Sequence, residues 1–119
     1  MAEEQIHLIN AQDQVSQYLH RIDQATASTK PDEMRQHIQE AMSFGRNALD
    51  GLDEALEVTE DADTADRIEE GMHHMDVSMD QGDQALEASD EDAMDFIIEM
   101  RKHAQQSIDF LAEAIGAAM

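Results

Sequence analysis

Apolar residues recur along the chain at alternating spacings of three and four, which is the period of one face of an α-helix. The first such stripe consists of Leu8, Ala11, Val15, Tyr18, Ile22 and Ala25. Three further stripes follow, formed by Met34, Ile38, Ala41, Gly45, Ala48, Leu52 and Ala55, then by Ile68, Met72, Met75, Met79, Gly82 and Leu86, and finally by Ala93, Ile97, Met100, Ala104, Ser107, Leu111 and Ala114. Each stripe predicts an amphipathic helix.

Three polar segments interrupt the stripes and carry residues that favour helix starts. Pro31 follows Ser28 and Thr29, and proline is favoured in the first turn of a helix. Residues 61–64 and 89–92 contain Asp, Ser and Thr, which cap helix N-termini. We therefore predict helices over residues 3–27, 31–59, 64–88 and 91–118, with the second helix continuing through Gly51.

These four segments predict an all-α protein. Helices of ~40 Å, at a rise of 1.5 Å per residue, that are joined by short loops pack side by side in opposite directions. The expected fold is an antiparallel up-down-up-down four-helix bundle. A length of 119 residues fits a single domain over residues 1–119.

A weak repeat runs through the predicted helices. Residues 37–45 (HIQEAMSFG) compare with residues 74–82 (HMDVSMDQG), residues 103–111 (HAQQSIDFL) follow the same pattern, and His7 begins a fainter copy. His7 precedes His74 by 67 residues, and His37 precedes His103 by 66. These offsets indicate a duplicated helical hairpin. The alternative is that two amphipathic helices align by their shared period alone.

The charge of the chain restricts the classes of molecule that it can bind. The formal net charge is −21, from 28 acidic and 7 basic residues, which argues against nucleic acids and anionic membranes. Metal cations or a basic protein are favoured instead. Adaptation to a high-salt cytoplasm is the alternative explanation of the acidity. The absence of cysteine excludes disulfides, thiolate metal sites and cysteine nucleophiles.

The sequence gives little indication of a membrane or an export route. No apolar run approaches the ~20 residues of a membrane span. The segment from Met1 to Glu4 lacks the basic and apolar regions of a signal peptide. A periplasmic location would therefore require a signal that has been removed, and the other expectation is a cytoplasmic protein.

The residue spacing contains no recognisable set of catalytic base, nucleophile or catalytic metal ligands, so we predict that the chain is not an enzyme. Glu4 and His7, like Glu70 and His73, have the spacing used in carboxylate-bridged di-iron bundles. The stripes contain no Asp or Glu, so the partner acids of such a site are absent. Haem b between Met and His ligands is a further alternative, although no pair is marked for it. Phosphate-binding loops and nucleophile motifs are absent.

Histidines are the best candidates for chemistry. His7, His37 and His103 each directly precede a stripe residue, which places them on the flank of an apolar face. Adjacent histidines cannot both point the same way on a helix, so His73 or His74 is exposed. Neutral imidazole binds copper, nickel and zinc. The candidate ligands are His37, His74 and His103, followed by His7 and His73, and the alternative is that they are ordinary surface residues.

Methionine is abundant, with nine residues. Met75 and Met79 belong to the third stripe, and thioether sulfur is a soft ligand that favours Cu(I). We therefore include both residues among the candidate ligands. The alternative is that methionine fills gaps opposite small core residues.

The repeated segments resemble the small histidine-rich metal-binding protein family. Residues 102–111 (KHAQQSIDFL) are similar to that family's lysine-histidine-alanine segments, and residues 37–45 and 74–82 to its histidine-to-glycine helical turns. The resemblance implies binding of divalent transition metals, including copper, without catalysis, by an exported protein. Phe44, Gln81 and Phe110 stand where a family histidine would, so only His37, His74 and His103 carry over.

The resulting hypothesis is a non-catalytic, acidic helical bundle that binds or buffers a transition-metal ion, with copper expected first and nickel or zinc as alternatives. The second hypothesis is a structural or interaction module without a specific metal site. In that case the acidic surface binds a basic protein, or the chain forms a homo-oligomer.

Overall fold

The structure is a computed structural model that describes residues 3–118, with side chains as far as Ala117. It contains four α-helices, α1 (Glu3–Ala27), α2 (Pro31–Val58), α3 (Ala62–Glu87) and α4 (Asp90–Ala118). They form an antiparallel up-down-up-down bundle with overall dimensions of 45 × 19 × 18 Å. The predicted fold is confirmed, and each helix begins and ends within two residues of its predicted bounds.

The core lies along the axis and consists of the predicted stripes in three of the helices. Every stripe residue of α1, α2 and α4 is buried, and Met42 of α2 joins them. In α3 the prediction was wrong at alternate positions, since Met72, Met79 and Leu86 lie on the flank of the core. The buried residues of α3 are Thr64, Ile68, Gly71, Met75, Ser78, Gly82 and Ala85.

Small residues explain this shift because they allow α3 and α4 to approach each other closely. The Oγ of Ser78 donates to the carbonyl oxygen of Met100 at 2.7 Å. The Oγ of Ser107 donates to the carbonyl oxygen of Gly71 at 2.8 Å. Both hydroxyls are buried, and each donates to a carbonyl oxygen of the other helix. These hydrogen bonds remove the cost of burying an unpaired polar group.

Of the helix starts that the sequence indicates, those of α3 and α4 have a side-chain cap and that of α2 has none. Asp61 caps α3 by accepting from the backbone N–H of Thr64 at 2.9 Å and from its hydroxyl at 2.8 Å. These bonds lower the pKa of Asp61. Ser89 accepts from the N–H of Asp92 at 3.3 Å at the start of α4. Lys30 occupies the cap of α2 and makes no side-chain cap bond to the described residues, so Pro31 carries that helix start.

The two hairpins, α1–α2 and α3–α4, have equivalent buried positions. Leu8 and Ala25 of α1 correspond to Ile68 and Ala85 of α3, an offset of 60 residues, and every buried residue of α2 except Met42 recurs in α4 with an offset of 59. The same offsets relate the contact between His7 and Glu54 to that between Arg67 and Glu113. The structural repeat therefore lies one heptad away from the register that the histidine offsets indicated.

Methionines and glycines interlock where α2 meets α3. The side chain of Met79 packs over Gly45, and that of Met42 packs over Gly82 together with the tip of Met100. Each glycine follows its own helix's methionine by three residues. The Met-x-x-Gly pattern shared by the repeated segments is thus a packing motif between the two hairpins. Within residues 3–118, every helix lacks an apolar stretch long enough to cross a membrane.

Candidate metal site

The contact between α3 and α4 brings two of the predicted ligands together. His74 lies fourteen residues before Ala88, and His103 lies fourteen residues after Ser89, so the short loop sets them at the same height. His74 precedes the buried Met75 and His103 the buried Ala104, which turns both rings toward the gap between the helices. Their Nδ1 atoms are 3.3 Å apart.

Aromatic neighbours hold the two rings. His74 stacks on Phe110 with centroids 5.5 Å apart and planes inclined by 10°. His74 also contacts His103, with ring centroids 5.6 Å apart and planes inclined by 21°. His73 approaches His74 edge-on at 5.5 Å. The pair is half-buried, and 22% of the His103 side chain is exposed, so ions from solvent can reach it.

Carboxylates flank the pair on both helices. The Oε2 of Glu99 lies 3.8 Å from the Nε2 of His103, one turn earlier on α4. Glu70 occupies the corresponding place on α3, one turn before His74. His103 thus turns its Nδ1 toward the other imidazole and its Nε2 toward an acid. A carboxylate at the second ring nitrogen is the usual outer partner of a metal-binding histidine.

Burial lowers the pKa of His74 below its usual value of 6.5, because the charged ring loses hydration there. The positive charges that His103 and His73 carry when protonated lower it further, while Glu70 acts in the opposite direction. Without a metal, one Nδ1 donates to the other, which requires at least one uncharged ring. When both rings carry their proton on Nε2, both Nδ1 lone pairs face the gap and suit a metal cation.

His7 and His37 lie apart from this pair. His7, on α1, places its Nδ1 3.3 Å from Glu54 and its Nε2 3.7 Å from Glu3. His37, on α2, has its Nδ1 3.8 Å from Glu40, and this buried nitrogen has no hydrogen-bond partner in the described chain. Each of these histidines faces carboxylates instead of a second imidazole. Among residues 3–118, no three or more His, Asp or Glu side chains form a group that could hold a metal ion.

The methionine candidates are occupied by packing. Met75 is fully buried in the core. The sulfur of Met79 lies where a side chain at Gly45 would begin, close to the ring of Tyr18. Met79 fills the space beside Gly45, as expected where methionine fills gaps opposite small core residues, and the role of Met75 and Met79 as ligands stays a prediction.

Glu70, Glu99 and Phe110 surround the pair, but the sequence analysis did not assign them to a site with His74 or His103. Glu70 and Glu99 each precede their histidine by four residues, which places acid and imidazole on one helix face, and this spacing was available as a signal. Phe110 departs from the family pattern, and it lies on α4 seven residues after His103. It also lines an open groove of about 360 Å³ beside the pair, together with Asp63, Asp66, Arg67, Glu70 and Glu113.

Comparisons of the chain with family models, curated proteins and solved structures find no match.

Proposed function

We propose that the protein binds a transition-metal ion without catalysis, between α3 and α4, through His74 and His103. The observation that carries this function is the 3.3 Å separation of the two Nδ1 atoms. Two uncharged imidazole nitrogens that face one another form a two-point site for copper, nickel or zinc. Both histidines are held by helices that pack directly against each other.

The surroundings of the pair favour a cation. Glu99 stands beside the Nε2 of His103, where an acceptor for the Nε2–H would fix the ring and raise the basicity of Nδ1. The net charge of −21 concentrates cations of every kind near the surface. Selectivity for a transition metal then comes from the imidazoles, since Na⁺, Mg²⁺ and Ca²⁺ prefer oxygen ligands.

The resemblance to histidine-rich metal-binding proteins supports the same function for two of the three histidines that it carries over, His74 and His103. The third, His37, lies on the other hairpin beside Glu40. The protein would therefore hold one metal ion per chain at a specific site and further cations only through its acidic surface.

Calorimetric titration of metal-free protein with copper, nickel and zinc in moderate salt tests the proposal. The variant is His74→Ala/His103→Ala, and the matched control is His7→Ala/His37→Ala, which also removes two half-buried histidines. Saturable one-to-one binding in the parent and in the control, and its loss in the variant, is the expected result. Equal binding by all three proteins, abolished by salt, would contradict the proposal.

A second candidate function is the binding of a basic protein. Residues 50–70 carry ten acidic side chains and one basic side chain, so the end of the bundle at the α2–α3 loop is the most negative. Ile98 is a large apolar residue that is 56% exposed on α4. This function predicts a complex that dissociates with salt and that forms equally well with the His74→Ala/His103→Ala variant.

A further inference from the structure

The groove between α1 and α4 is bordered by two rows of exposed residues. Residues seven positions apart lie almost in line along a helix. Asp23 of α1 contacts Arg101 of α4, with the Oδ1 and Nε atoms 2.9 Å apart, so the α1 row that includes Asp23 borders α4. On α4 the neighbouring row includes Ile98, one turn before Arg101. The two rows, which we call the α1–α4 seam, consist of Ile9, Ser16 and Asp23 on α1 and of Ile98, Gln105 and Ala112 on α4, all of them exposed.

The structural repeat relates the seam to the opposite side of the bundle. Offsets of 60 and 59 residues lead from the seam to six exposed positions beside the groove between α2 and α3. In the seam only Asp23 is charged, and Arg101 neutralises it. The equivalent positions carry five charged residues and one uncharged residue, namely Glu69, Asp76 and Asp83 on α3 and Arg46, Asp53 and Gln39 on α2.

The low charge of the seam extends along most of α1. From Gln5 to Ile22 this helix has one acidic and one basic residue, whereas the equivalent segment of α3, residues 65–82, has five acidic residues and one basic residue. The chain as a whole carries a charge of −21. A second copy of the chain is therefore repelled less at α1 than at α3.

Large apolar side chains are exposed on this side of the bundle. Among the described residues, the large apolar side chains that are exposed belong to Ile98 on α4, at 56%, and to Ile6 and Ile9 on α1, at 46% and 40%. Apolar surface of this kind marks interaction sites, and the core of a protein interface is depleted in charge. The bundle measures 45 × 19 Å along this side, which is close to the ~800 Å² that each partner buries in a standard interface.

The order of residues in the seam makes it self-complementary. Ile98 and Ala112 are each seven residues from Gln105, so a twofold axis beside Gln105 brings Ile98 opposite Ala112 of the partner subunit. Because α1 and α4 are antiparallel, Ile9 lies at the same end of the seam as Ala112. The large side chain of Ile98 thus meets a small side chain that is flanked by another isoleucine.

We propose that a second copy of this chain docks on the α1–α4 seam in this twofold arrangement. Such an interface uses the same patch on both copies, and it leaves the acidic sides of α2 and α3 facing solvent, where counterions screen their repulsion. A basic protein, in contrast, gains no attraction from a seam without net charge. The dimer does not depend on the proposed metal site, since His103 lies on the other flank of α4, where it contacts α3.

The charge outside the seam determines how the dimer responds to salt. Two copies that each carry a charge of −21 repel one another, and the screening length of this repulsion falls from about 10 Å at about 0.1 M salt to about 3 Å at about 1 M. The contacts in the seam are mostly apolar or uncharged, so salt does not weaken them. Salt should therefore strengthen this dimer, whereas it weakens a complex with a basic partner.

Sedimentation equilibrium of the parent and of three variants tests the proposal, in EDTA so that metal ions cannot bridge two copies. Ile98→Glu places a charge in the seam. Gln39→Glu is the matched control, because it adds the same charge at the equivalent position of the other side, and both side chains are exposed. Ile98→Glu/Ala112→Lys places opposite charges about 21 Å apart in one chain, at 1.5 Å per residue, but next to each other in the twofold dimer.

The parent should dimerise, with a dissociation constant at least about tenfold lower at about 1 M NaCl than in dilute buffer. Ile98→Glu should weaken the dimer by at least about tenfold, Gln39→Glu should change it by less than about twofold, and Ile98→Glu/Ala112→Lys should regain most of the loss in dilute buffer.

Three results would overturn the proposed dimer. They are a parent that stays monomeric at both salt concentrations, a dimer that salt weakens, and a dimer that Gln39→Glu weakens as much as Ile98→Glu does. If adding Ala112→Lys does not restore the dimer lost in Ile98→Glu, the twofold arrangement is overturned.

Discussion

The phenolic oxygen of Tyr18 on α1 lies 2.6 Å from the Oγ of Ser78 on α3, across the diagonal of the bundle. Ser78 uses its hydrogen to bond the carbonyl oxygen of Met100, so Tyr18 is the donor in the contact between the two side chains. Burial raises the pKa of Tyr18. The two residues occupy equivalent positions in the two hairpins, 60 residues apart, and their contact links the hairpins at the centre of the core.

This direction of donation predicts unequal costs for removing the two hydroxyls. Tyr18→Phe leaves Ser78 bonded to Met100 and should lower the free energy of unfolding by about 1 kcal/mol. Ser78→Ala leaves the buried phenol without an acceptor and should cost about 2 kcal/mol. Urea unfolding of both single variants and of the double variant measures these free energies. The double variant should be no less stable than Ser78→Ala. Equal costs for the two single changes would contradict the assigned donor.

Alanine should have different effects on stability at two glycines in the helices. A methyl group at Gly51 would meet Ala11 at 3.5 Å, which is an ordinary contact, whereas at Gly82 it would meet the sulfur of Met42 at 2.6 Å and the tip of Met100 at 2.9 Å. Gly51→Ala should therefore stabilise the protein by up to about 1 kcal/mol through helix propensity. Gly82→Ala should lose that gain because the methionines must move. Thermal melts of both variants compare them, and a stabilised Gly82→Ala would show that the packing between α2 and α3 is loose.

The pKa of His74 predicts a dependence of stability on pH. Because burial lowers its pKa in the folded protein, the unfolded chain binds a proton at His74 first as the pH falls below 6.5. This histidine's contribution to the free energy of unfolding is present above that pH and is lost as the pH falls toward the folded-state pKa. Urea unfolding of the parent and of His74→Gln at a series of pH values isolates the effect. A parent that loses no more stability than His74→Gln over this range would contradict it.

The acidity of the chain predicts stabilisation by salt. Carboxylates far outnumber basic groups, 28 against 7, and their repulsion favours the expanded chain. At about 1 M salt the screening length falls to about 3 Å, so the melting temperature should rise by at least about 5 °C, which corresponds to roughly 1 kcal/mol in a domain of this size. Calorimetric melts in dilute buffer and in NaCl measure it, and an unchanged melting temperature would show that the charges are already neutralised.

The sequence predicted the fold well because the period of the apolar residues is nearly complete in α1, α2 and α4. It failed in α3, where hydropathy favours Met72 and Met79 over Gly71 and Ser78. Small residues there are buried for steric reasons, since they allow α4 to approach, and a hydropathy pattern does not register this. The histidine offsets likewise pointed to a repeat one heptad from the structural one, since His7 corresponds to Arg67 and not to His74.

The sequence identifies His74 and His103 as candidate ligands one by one, but it does not predict that they contact each other. Both residues were predicted as candidate ligands, with His103 on the flank of its apolar stripe, and counting from the loop places His74 and His103 at one height. Their contact also requires both flanks to face the same gap between α3 and α4. That rotation is set by the small residues of the two helices, Gly71, Ser78, Ala104 and Ser107. The contact between His7 and Glu54 could not be inferred without the relative rotation of α1 and α2, whereas Glu3 and Glu40 lie within one turn of His7 and His37 on the same helices.

The most direct test of the account is long-range ¹H–¹⁵N NMR of the histidine rings during titration with zinc, because it identifies each coordinating nitrogen. The account predicts that the Nδ1 resonances of His74 and His103 shift together, that their Nε2 atoms keep their protons, and that the rings of His7, His20 and His37 do not change. Shifts centred on His7 or His37, or on no histidine at all, would contradict a metal site between α3 and α4.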